Sequence, residues 1–260
     1  MSKSGYIPIG ALRMYYEVHG KGEPLVLLHG GGSGIDATFG RIIEQLAKTR
    51  QVIGLEQQGH GHTGDIDRPF SLEQMADDTD EALAQLNISK ADIFGFSNGG
   101  QVALYLAIKH PEKVRKLILA STFYKPEGVI RQLREAWTKP AQVKDMPRGL
   151  VDAYTRVAPN PQDLQAHIDK SQQMMSTFTG ISSKKVAQLG MPTLIIDGDR
   201  DVVRVEHALE MMNLIHDSRL VVLPGAHGAY MGELSTGPAT TALPRITVEL
   251  INEFLSGLEF

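Results

Sequence analysis

The stretch that decides the fold is DIFGFSNGGQVA, residues 92–103. Its first half is an apolar run typical of a buried strand, its second half is typical of a helix, and Gly-x-Ser-x-Gly lies between them. A serine at the end of a sheet is exposed only if the chain turns sharply there, in a strained backbone conformation. Gly95 and Gly99 remove the side chains that would collide in such a turn. The stretch predicts a strand–turn–helix unit that presents Ser97 as a nucleophile; the alternative is a glycine-rich turn with an incidental serine.

Strands and helices alternate on both sides of this unit. Apolar runs typical of strands buried on both faces occur at 25–28, 114–119 and 193–196, with helical patterns between them. This alternation predicts an α/β fold with a doubly wound, mostly parallel sheet and right-handed connections. It stops between 123 and 189, where prolines and a glycine separate several short helices. We therefore expect a core domain of residues 1–122 and 190–260 and a helical insertion at 123–189.

Composition narrows the class of protein. The chain has 260 residues, a net charge of −4 and no basic stripe, which argues against a nucleic-acid-binding protein. It has no cysteine, hence no disulfide framework and no thiolate metal site. No apolar run reaches transmembrane length and the first residues lack the apolar core of a signal peptide, so we expect a cytoplasmic protein without membrane contact. No phosphate-cradling or metal-ligand spacing appears, and we expect no cofactor and no metal. A monomer and a homodimer both remain open.

Glycine-rich and polar motifs follow the predicted strands. The four motifs are HGGGSG at 29–34, EQQGHGHT at 56–63, DGDRD at 197–201 and GAHG at 225–228. Active sites of parallel α/β sheets form beyond the carboxyl ends of the strands, which is where all four motifs fall. A serine needs a base within hydrogen-bond reach, and His227 is the best candidate. His29 is expected to shape its glycine loop, whereas His167 and His207 lie on predicted helices and are expected to be solvated.

The motifs at 29–34, 197–201 and 225–228, together with GFSNG at 95–99, resemble the α/β-hydrolase superfamily, in the order serine, acid, histidine that is specific to it. The resemblance spans nearly the whole chain. It implies Ser97 as nucleophile, His227 as base and Asp201 as acid, with Asp199 as the alternative acid. It further implies an oxyanion hole made by the backbone N–H groups of Asn98 and Gly31, with Gly32 as the alternative to Gly31, and a helical cap over Ser97 formed by residues 123–189.

One feature that the chain shares with serine members of the superfamily, and two departures from its patterns, bear on function. A serine at position 97 excludes the relatives with an aspartate nucleophile, the haloalkane dehalogenases and epoxide hydrolases. The loop at 56–63 resembles the Asp-x-Arg-Gly-His-Gly-x-Ser loop of enol-lactonases and related esterases, but Glu56, Gln58 and Thr63 replace its Asp, Arg and Ser. The small-residue stretch at 235–242 is interpreted as a linker, or else as an edge of the site.

The leading hypothesis is a serine hydrolase that cleaves a small-molecule carboxylic ester or lactone through an acyl-enzyme intermediate. Alternatives on the same triad are a C–C bond hydrolase, a thioesterase and a cofactor-free haloperoxidase or perhydrolase. A ligand receptor on a hydrolase scaffold need not keep the whole triad, and this chain keeps it. The aromatic and methionine side chains of the cap favour an uncharged or partly apolar substrate. The residues expected to contact substrate are Gly32, His60, Phe123, Tyr124, Trp137 and Met175.

Overall fold

The computed structural model describes residues 3–237 and 241–257. They form an eight-stranded sheet with the order β1-β2-β4-β3-β5-β6-β7-β8. Strand β2 pairs antiparallel with both β1 and β4, and the pairs from β4 through β3 to β8 are parallel. The strands are β1 Lys3–Ile9, β2 Leu12–His19, β3 Pro24–Leu28, β4 Gln51–Leu55, β5 Ala91–Phe96, β6 Val114–Ala120, β7 Thr193–Gly198 and β8 Ser218–Leu223.

Helices cover both faces of the sheet. One apolar core lies between the sheet and the helices that carry Leu83, Leu104 and Met211. The other lies on the opposite face, under helices that carry Phe39 and Ile251. The doubly wound α/β fold is therefore confirmed. The helices are α1 Ile35–Phe39, α2 Ile43–Leu46, α3 Leu72–Gln85, α4 Asn98–Lys109, α5 Arg131–Trp137, α6 Arg148–Val157, α7 Leu164–Ser176, α8 Ser183–Ala187, α9 Val205–Leu214 and α10 Leu243–Ser256.

The insertion between β6 and β7 contains helices α5 to α8 and, among the described residues, no strand. Its two ends pack into the main core, through Tyr124 at the start and Val186 at the end. Its middle forms two small apolar clusters, one around Phe123 and Trp137 and one around Tyr154 and Ile168. The middle of the insertion thus has little core of its own, because its apolar side chains line a space above the sheet.

Within the part of the chain that the structure describes, none of the helices combines the length and the hydrophobicity needed to cross a lipid bilayer. The stretch at 235–242 is only partly described: Leu234–Thr236 forms a turn of 3₁₀-helix, and residues 238–240 lie outside the described ranges.

Candidate active site

Ser97 lies in a sharp turn between β5 and α4. Its backbone has φ 53° and ψ −116°, a conformation that side-chain-bearing residues rarely adopt, so the strained turn predicted from the sequence is confirmed. The glycines on either side are required by close approach of the backbone. A Cβ on Gly95 would lie 2.3 Å from the Gly99 carbonyl oxygen, and a Cβ on Gly99 would lie 2.0 Å from the Leu28 carbonyl oxygen. The turn is therefore closed to larger residues at both positions.

A continuous chain of hydrogen bonds joins Ser97 to His227 and Asp201. The Ser97 Oγ lies 2.9 Å from His227 Nε2, and His227 Nδ1 lies 2.7 Å from Asp201 Oδ1. A carboxylate can only accept a hydrogen bond, so His227 Nδ1 carries the hydrogen and Nε2 is left to accept a hydrogen bond from the serine hydroxyl. The three residues come from the ends of three different strands, which the parallel sheet places side by side.

Asp201 is held as a carboxylate. Its side chain is buried, and burial alone would raise its pKa, but hydrogen bonds from His227 and Ser121, with a backbone N–H from Val203, lower the pKa overall. Ser121 donates its hydroxyl to Asp201 Oδ2 at 2.6 Å, and Val203 donates its N–H to Oδ1 at 3.0 Å. An anion fixed in this way can orient the imidazole and stabilise its protonated form.

The two neighbouring aspartates serve other contacts. Asp199 accepts the backbone N–H of Gly225 at 2.7 Å and so fixes the loop before His227. Asp197 is buried, and neither of its carboxylate oxygens has a hydrogen-bond partner among the described residues. Burial, with the nearby Asp201 carboxylate, raises the pKa of Asp197 well above its ordinary value. The geometry therefore favours Asp201 over Asp199 as the partner of His227.

Two backbone N–H groups are available to a ligand beside Ser97. Asn98 is the first residue of α4, where N–H groups have no acceptor within the helix and the helix dipole is positive. Gly31 faces it: a Cβ on Gly31 would lie 3.5 Å from the Asn98 Cβ. Neither N–H group has a hydrogen-bond partner in the described ranges 3–237 and 241–257. Both residues line the cavity at Ser97, as an oxyanion hole requires.

His29 holds the glycine loop after β3 in place. Its Nδ1 donates to the Gly30 carbonyl oxygen at 2.8 Å, and its Nε2 accepts the backbone N–H of Gln57 at 3.0 Å. The ring thus ties the loop that carries Gly31 to the loop that follows β4. The shaping role expected for His29 from the sequence is in keeping with these contacts.

The cavity above Ser97 has a volume of about 470 Å³. Among the described residues that line it, none is Lys, Arg, Asp or Glu. Five of the six expected substrate contacts are found in its wall: Gly32, His60, Phe123, Trp137 and Met175. The remaining lining residues are Gly31, Ser97, Asn98, Gln101, Leu133, Ala136, Ala141, Met146, His167, Ile168, Ser171, Gln172, Met174, Val202 and His227.

The prediction that Tyr124 contacts the substrate is wrong, because this residue does not line the cavity. Its ring stacks on His207 with the ring centres 4.8 Å apart, and its hydroxyl donates to Glu210. After β6 the chain directs Phe123 into the cavity and the next side chain into the main core. The prediction that His167 and His207 are solvated is also wrong, because both side chains are buried.

Several further lining residues escaped sequence reasoning, and four of them show why. Gln101 lies one helical turn after Ser97, and Val202 directly follows Asp201, so proximity in the sequence is a signal that points to both. Leu133 and His167 come from the insertion, where no local pattern separates a cavity wall from an exposed face.

The residues that differ from the similar enol-lactonase loop at 56–63 make hydrogen bonds with neighbouring segments. Glu56 accepts the N–H groups of Ile35 and His62, and thereby joins the loops after β3 and β4. Gln58 accepts a hydrogen bond from the Arg68 guanidinium at 2.7 Å. Gln58 stands where the similar loop of enol-lactonases has an arginine, so here Arg68 brings a guanidinium group to that position. These contacts are structural, and the described residues include no group of three or more His, Cys, Asp or Glu placed to hold a metal ion.

Comparison with known proteins places this geometry in a family. The sequence model of the family described as the alpha/beta hydrolase fold matches residues 23–155. The chain belongs to the alpha/beta hydrolase family. This match includes the glycine loop after β3, the sharp turn at Ser97 and the start of the insertion. Solved structures that are similar to the chain over nearly its full length share the fold.

Three similar proteins illustrate the range of the family. "Putative carbamate hydrolase RutD" of Azorhizobium caulinodans is 27% identical over 268 residues, covering 95% of each chain. The 2-hydroxymuconate semialdehyde hydrolase of a Pseudomonas species is 33% identical over 138 residues, covering 52% of this chain and 48% of its own. The crystal structure of a serine hydrolase involved in carbazole degradation, the CarC enzyme, has a TM-score of 0.78 at 22% identity, covering 98% of this chain and 99% of its own. The chain is therefore a hydrolase in fold and family, with relatives of several specificities.

Proposed function

We propose that this hydrolase is a serine enzyme that cleaves a carboxylic ester or lactone of an uncharged small molecule. The observation that carries the proposal is the hydrogen-bonded chain from Ser97 through His227 to Asp201, which opens on a cavity without a charged side chain among its described lining residues. The roles of these residues, and of residues 123–189 as a cap, are part of this proposal. A cytoplasmic location and the oligomeric state stay predictions.

The contacts support a two-step acyl transfer. Ser97 Oγ attacks the substrate carbonyl carbon while His227 Nε2 takes the hydroxyl proton, and Asp201 stabilises the imidazolium that forms. The carbonyl oxygen becomes an oxyanion that the N–H groups of Gly31 and Asn98 stabilise, each typically by about 3 kcal/mol. The tetrahedral intermediate collapses, the leaving oxygen receives the proton from His227, and an acyl ester on Ser97 remains. Water, activated by His227, then attacks the acyl ester, releases the acid and restores Ser97.

The uncharged lining favours neutral substrates. A carboxylate moved from water into such a cavity, without a cation to pair with, loses its hydration without compensation. The muconate semialdehyde named for the Pseudomonas relative carries a carboxylate, so its C–C bond hydrolysis is not the activity that this cavity favours. Thioester cleavage and perhydrolysis of neutral acyl groups would use the same contacts, and remain the alternatives within the fold.

A matched pair of substrates tests the proposal. p-Nitrophenyl hexanoate and mono-p-nitrophenyl adipate have acyl chains of the same carbon number and differ by a terminal carboxylate. We expect kcat/KM for the neutral ester to exceed that for the charged ester by roughly a hundredfold, since an unpaired buried charge costs several kcal/mol.

The nucleophile is tested with an organophosphate and two serine variants. We expect one covalent adduct on Ser97 by mass spectrometry, loss of turnover in Ser97→Ala, and wild-type turnover in Ser183→Ala, which changes an exposed serine on α8. Full activity of Ser97→Ala, or an adduct elsewhere, would refute the serine mechanism. A preference for the adipate ester would refute the uncharged substrate class and leave the mechanism standing.

A further inference from the structure

Three buried histidines form a cluster beside the cavity, with the His60 ring tilted against His29 and edge-on to His167. The rings of His29 and His60 have centres 4.9 Å apart, and those of His60 and His167 have centres 4.5 Å apart. They come from the loop after β3, the loop after β4 and helix α7. All three side chains are at most 3% exposed. His60 and His167 also line the cavity, whereas His29 lies behind them.

Backbone contacts fix the tautomer of each ring. His60 Nδ1 lies 2.9 Å from the Gln58 carbonyl oxygen, and His167 Nδ1 lies 2.9 Å from the Gly59 carbonyl oxygen. A carbonyl oxygen only accepts hydrogen bonds, so each Nδ1 carries a proton. Burial lowers the pKa of His60 to about 3 and that of His167 to about 4, with a smaller contribution from another histidine of the cluster in each case, and this keeps both rings neutral. Each Nε2 is therefore a bare lone pair that can only accept.

The Nε2 atoms of the three histidines differ in their hydrogen-bond partners. His29 Nε2 accepts the Gln57 N–H, as described above. His167 Nε2 has a long contact with the Ser171 hydroxyl at 3.4 Å. His60 Nε2 has no hydrogen-bond partner within residues 3–237 and 241–257, although the side chain is almost fully buried. Buried polar atoms in native proteins nearly always have partners, so an acceptor without one beside a ligand cavity indicates a missing donor.

We infer that the neighbouring rings of His60 and His167 form a subsite in the cavity wall, where Nε2 of His60 accepts a hydrogen bond from a hydroxyl group of the substrate. The inference deepens the proposed function, since it specifies a neutral substrate with a hydroxyl donor. The subsite lies near the glycine loop, because a Cβ on Gly32 would lie 3.9 Å from His167 Nε2. A carbonyl or ether oxygen would find no donor on either ring, so the subsite discriminates between hydroxylated compounds and their deoxy analogues.

A binding assay tests the subsite independently of hydrolysis. Trp137 is the only tryptophan of the chain and lines the cavity, so its fluorescence reports occupancy. The probes are heptan-2-one and its 3-, 4- and 7-hydroxy derivatives, which mimic a hexanoyl group and its hydroxylated forms. We expect the best hydroxyketone to bind at least about tenfold more tightly than heptan-2-one to the wild-type protein, the gain typical of one buried hydrogen bond.

The variant His60→Asn isolates the acceptor. An asparagine amide can occupy the place of Nδ1 and keep the donor to the Gln58 carbonyl, but it has no atom at the place of Nε2. We expect the preference for the hydroxyketone to fall below threefold in His60→Asn, with the affinity for heptan-2-one changed less than threefold. His216→Asn, which changes an exposed histidine, is the matched control and should keep the wild-type preference.

The outcomes separate the possible roles. The subsite is refuted if the wild-type protein prefers no hydroxyketone, if His60→Asn keeps the preference, or if both ketones weaken equally, which would indicate a structural role only. If His60→Asn does not fold, His167→Asn is used instead, because it likewise keeps the Nδ1 donor and removes Nε2; a retained preference in it counts against the subsite. Failure to hydrolyse esters while the hydroxyketone preference persists would refute the proposed function and leave the subsite standing.

Discussion

Replacing His29 by glutamine should remove a defined part of the protein's acid sensitivity. Both ring nitrogens of His29 are occupied, Nδ1 by the Gly30 carbonyl and Nε2 by the Gln57 N–H. Only the neutral ring fits these partners, because a protonated Nε2 would point its hydrogen at another N–H. Burial, followed by the nearby His60, lowers the pKa of His29 to about 4.

The sign and size of the effect follow from the two pKa values. The His29 side chain binds a proton with a pKa of about 6.5 in the unfolded chain and of about 4 in the folded protein. The contribution of the neutral ring to the free energy of unfolding is therefore fully present above pH 6.5 and is lost as the pH falls toward 4. At pH 5 the proton bound by the unfolded chain destabilises the folded state by about 2 kcal/mol, from RT ln[(1 + 10^1.5)/(1 + 10^−1)]. The loss approaches about 3.4 kcal/mol below pH 4, which is 2.5 units at about 1.36 kcal/mol each.

Urea denaturation at pH 7.5 and pH 5.0 measures this contribution. The free energy of unfolding should drop between the two pH values by about 2 kcal/mol less in His29→Gln than in the wild-type protein. The comparison is made within each protein, because the variant also loses two hydrogen bonds at both pH values. His216→Gln, which changes an exposed histidine, should keep the wild-type drop.

An unchanged drop in His29→Gln would refute the assignment of a buried, neutral ring. If the variant does not fold, nitrogen NMR of labelled histidine in the wild-type protein gives the same test. The His29 ring should then stay in the neutral Nδ1–H form down to pH 5, and protonation near pH 6 would contradict the argument.

Three further outcomes are expected. Asp197→Asn removes a buried carboxyl group whose pKa is raised by folding, a shift that destabilises the wild-type protein increasingly as the pH rises above about 4. In urea titrations the free energy of unfolding of the variant, relative to the wild-type protein, should therefore grow over that range, and a difference independent of pH contradicts this. Gly99→Ala should lower the free energy of unfolding by about 3 kcal/mol, because its Cβ meets the Leu28 carbonyl oxygen, whereas Gly31→Ala should unfold like the wild-type protein. Asp201→Asn should lower kcat for p-nitrophenyl hexanoate by about 10⁴-fold, since the imidazole loses its tautomer, and a loss below tenfold would remove Asp201 from the mechanism.

The fold could be predicted from the sequence because its signals are local. The apolar runs of β3, β6 and β7 and the glycines around Ser97 each report on their own segment, and the parallel sheet then brings their ends together without further information. The hairpin of β1 and β2, which turns at Gly10 and Ala11, likewise depends on a local signal.

The walls of the cavity could not be predicted in this way, because packing between distant segments decides them. Phe123 and Tyr124 are adjacent and alike in the sequence, yet one faces the cavity and the other the core. His167 lies on a helix of the insertion, and its burial results from contacts with distant residues of the core, Gly59 and Phe70 among them. Where a side chain points in the insertion depends on which core loop that helix meets, and the sequence carries no local signal for it.

The histidine cluster connects the insertion to the loop that carries Gly31. Strand ends alone place Ser97 and Asp201, so changes in the insertion can alter the cavity without moving them. His167 is different, because it donates to the loop after β4, and that loop donates to His29, which holds the loop that carries Gly31. A hydroxyl bound at His60 would occupy the middle of this connection. Loss of the hydrogen bond between this hydroxyl and His60 should therefore change both kcat and KM for a hydroxylated ester. Loss of an apolar contact from the insertion should change KM alone.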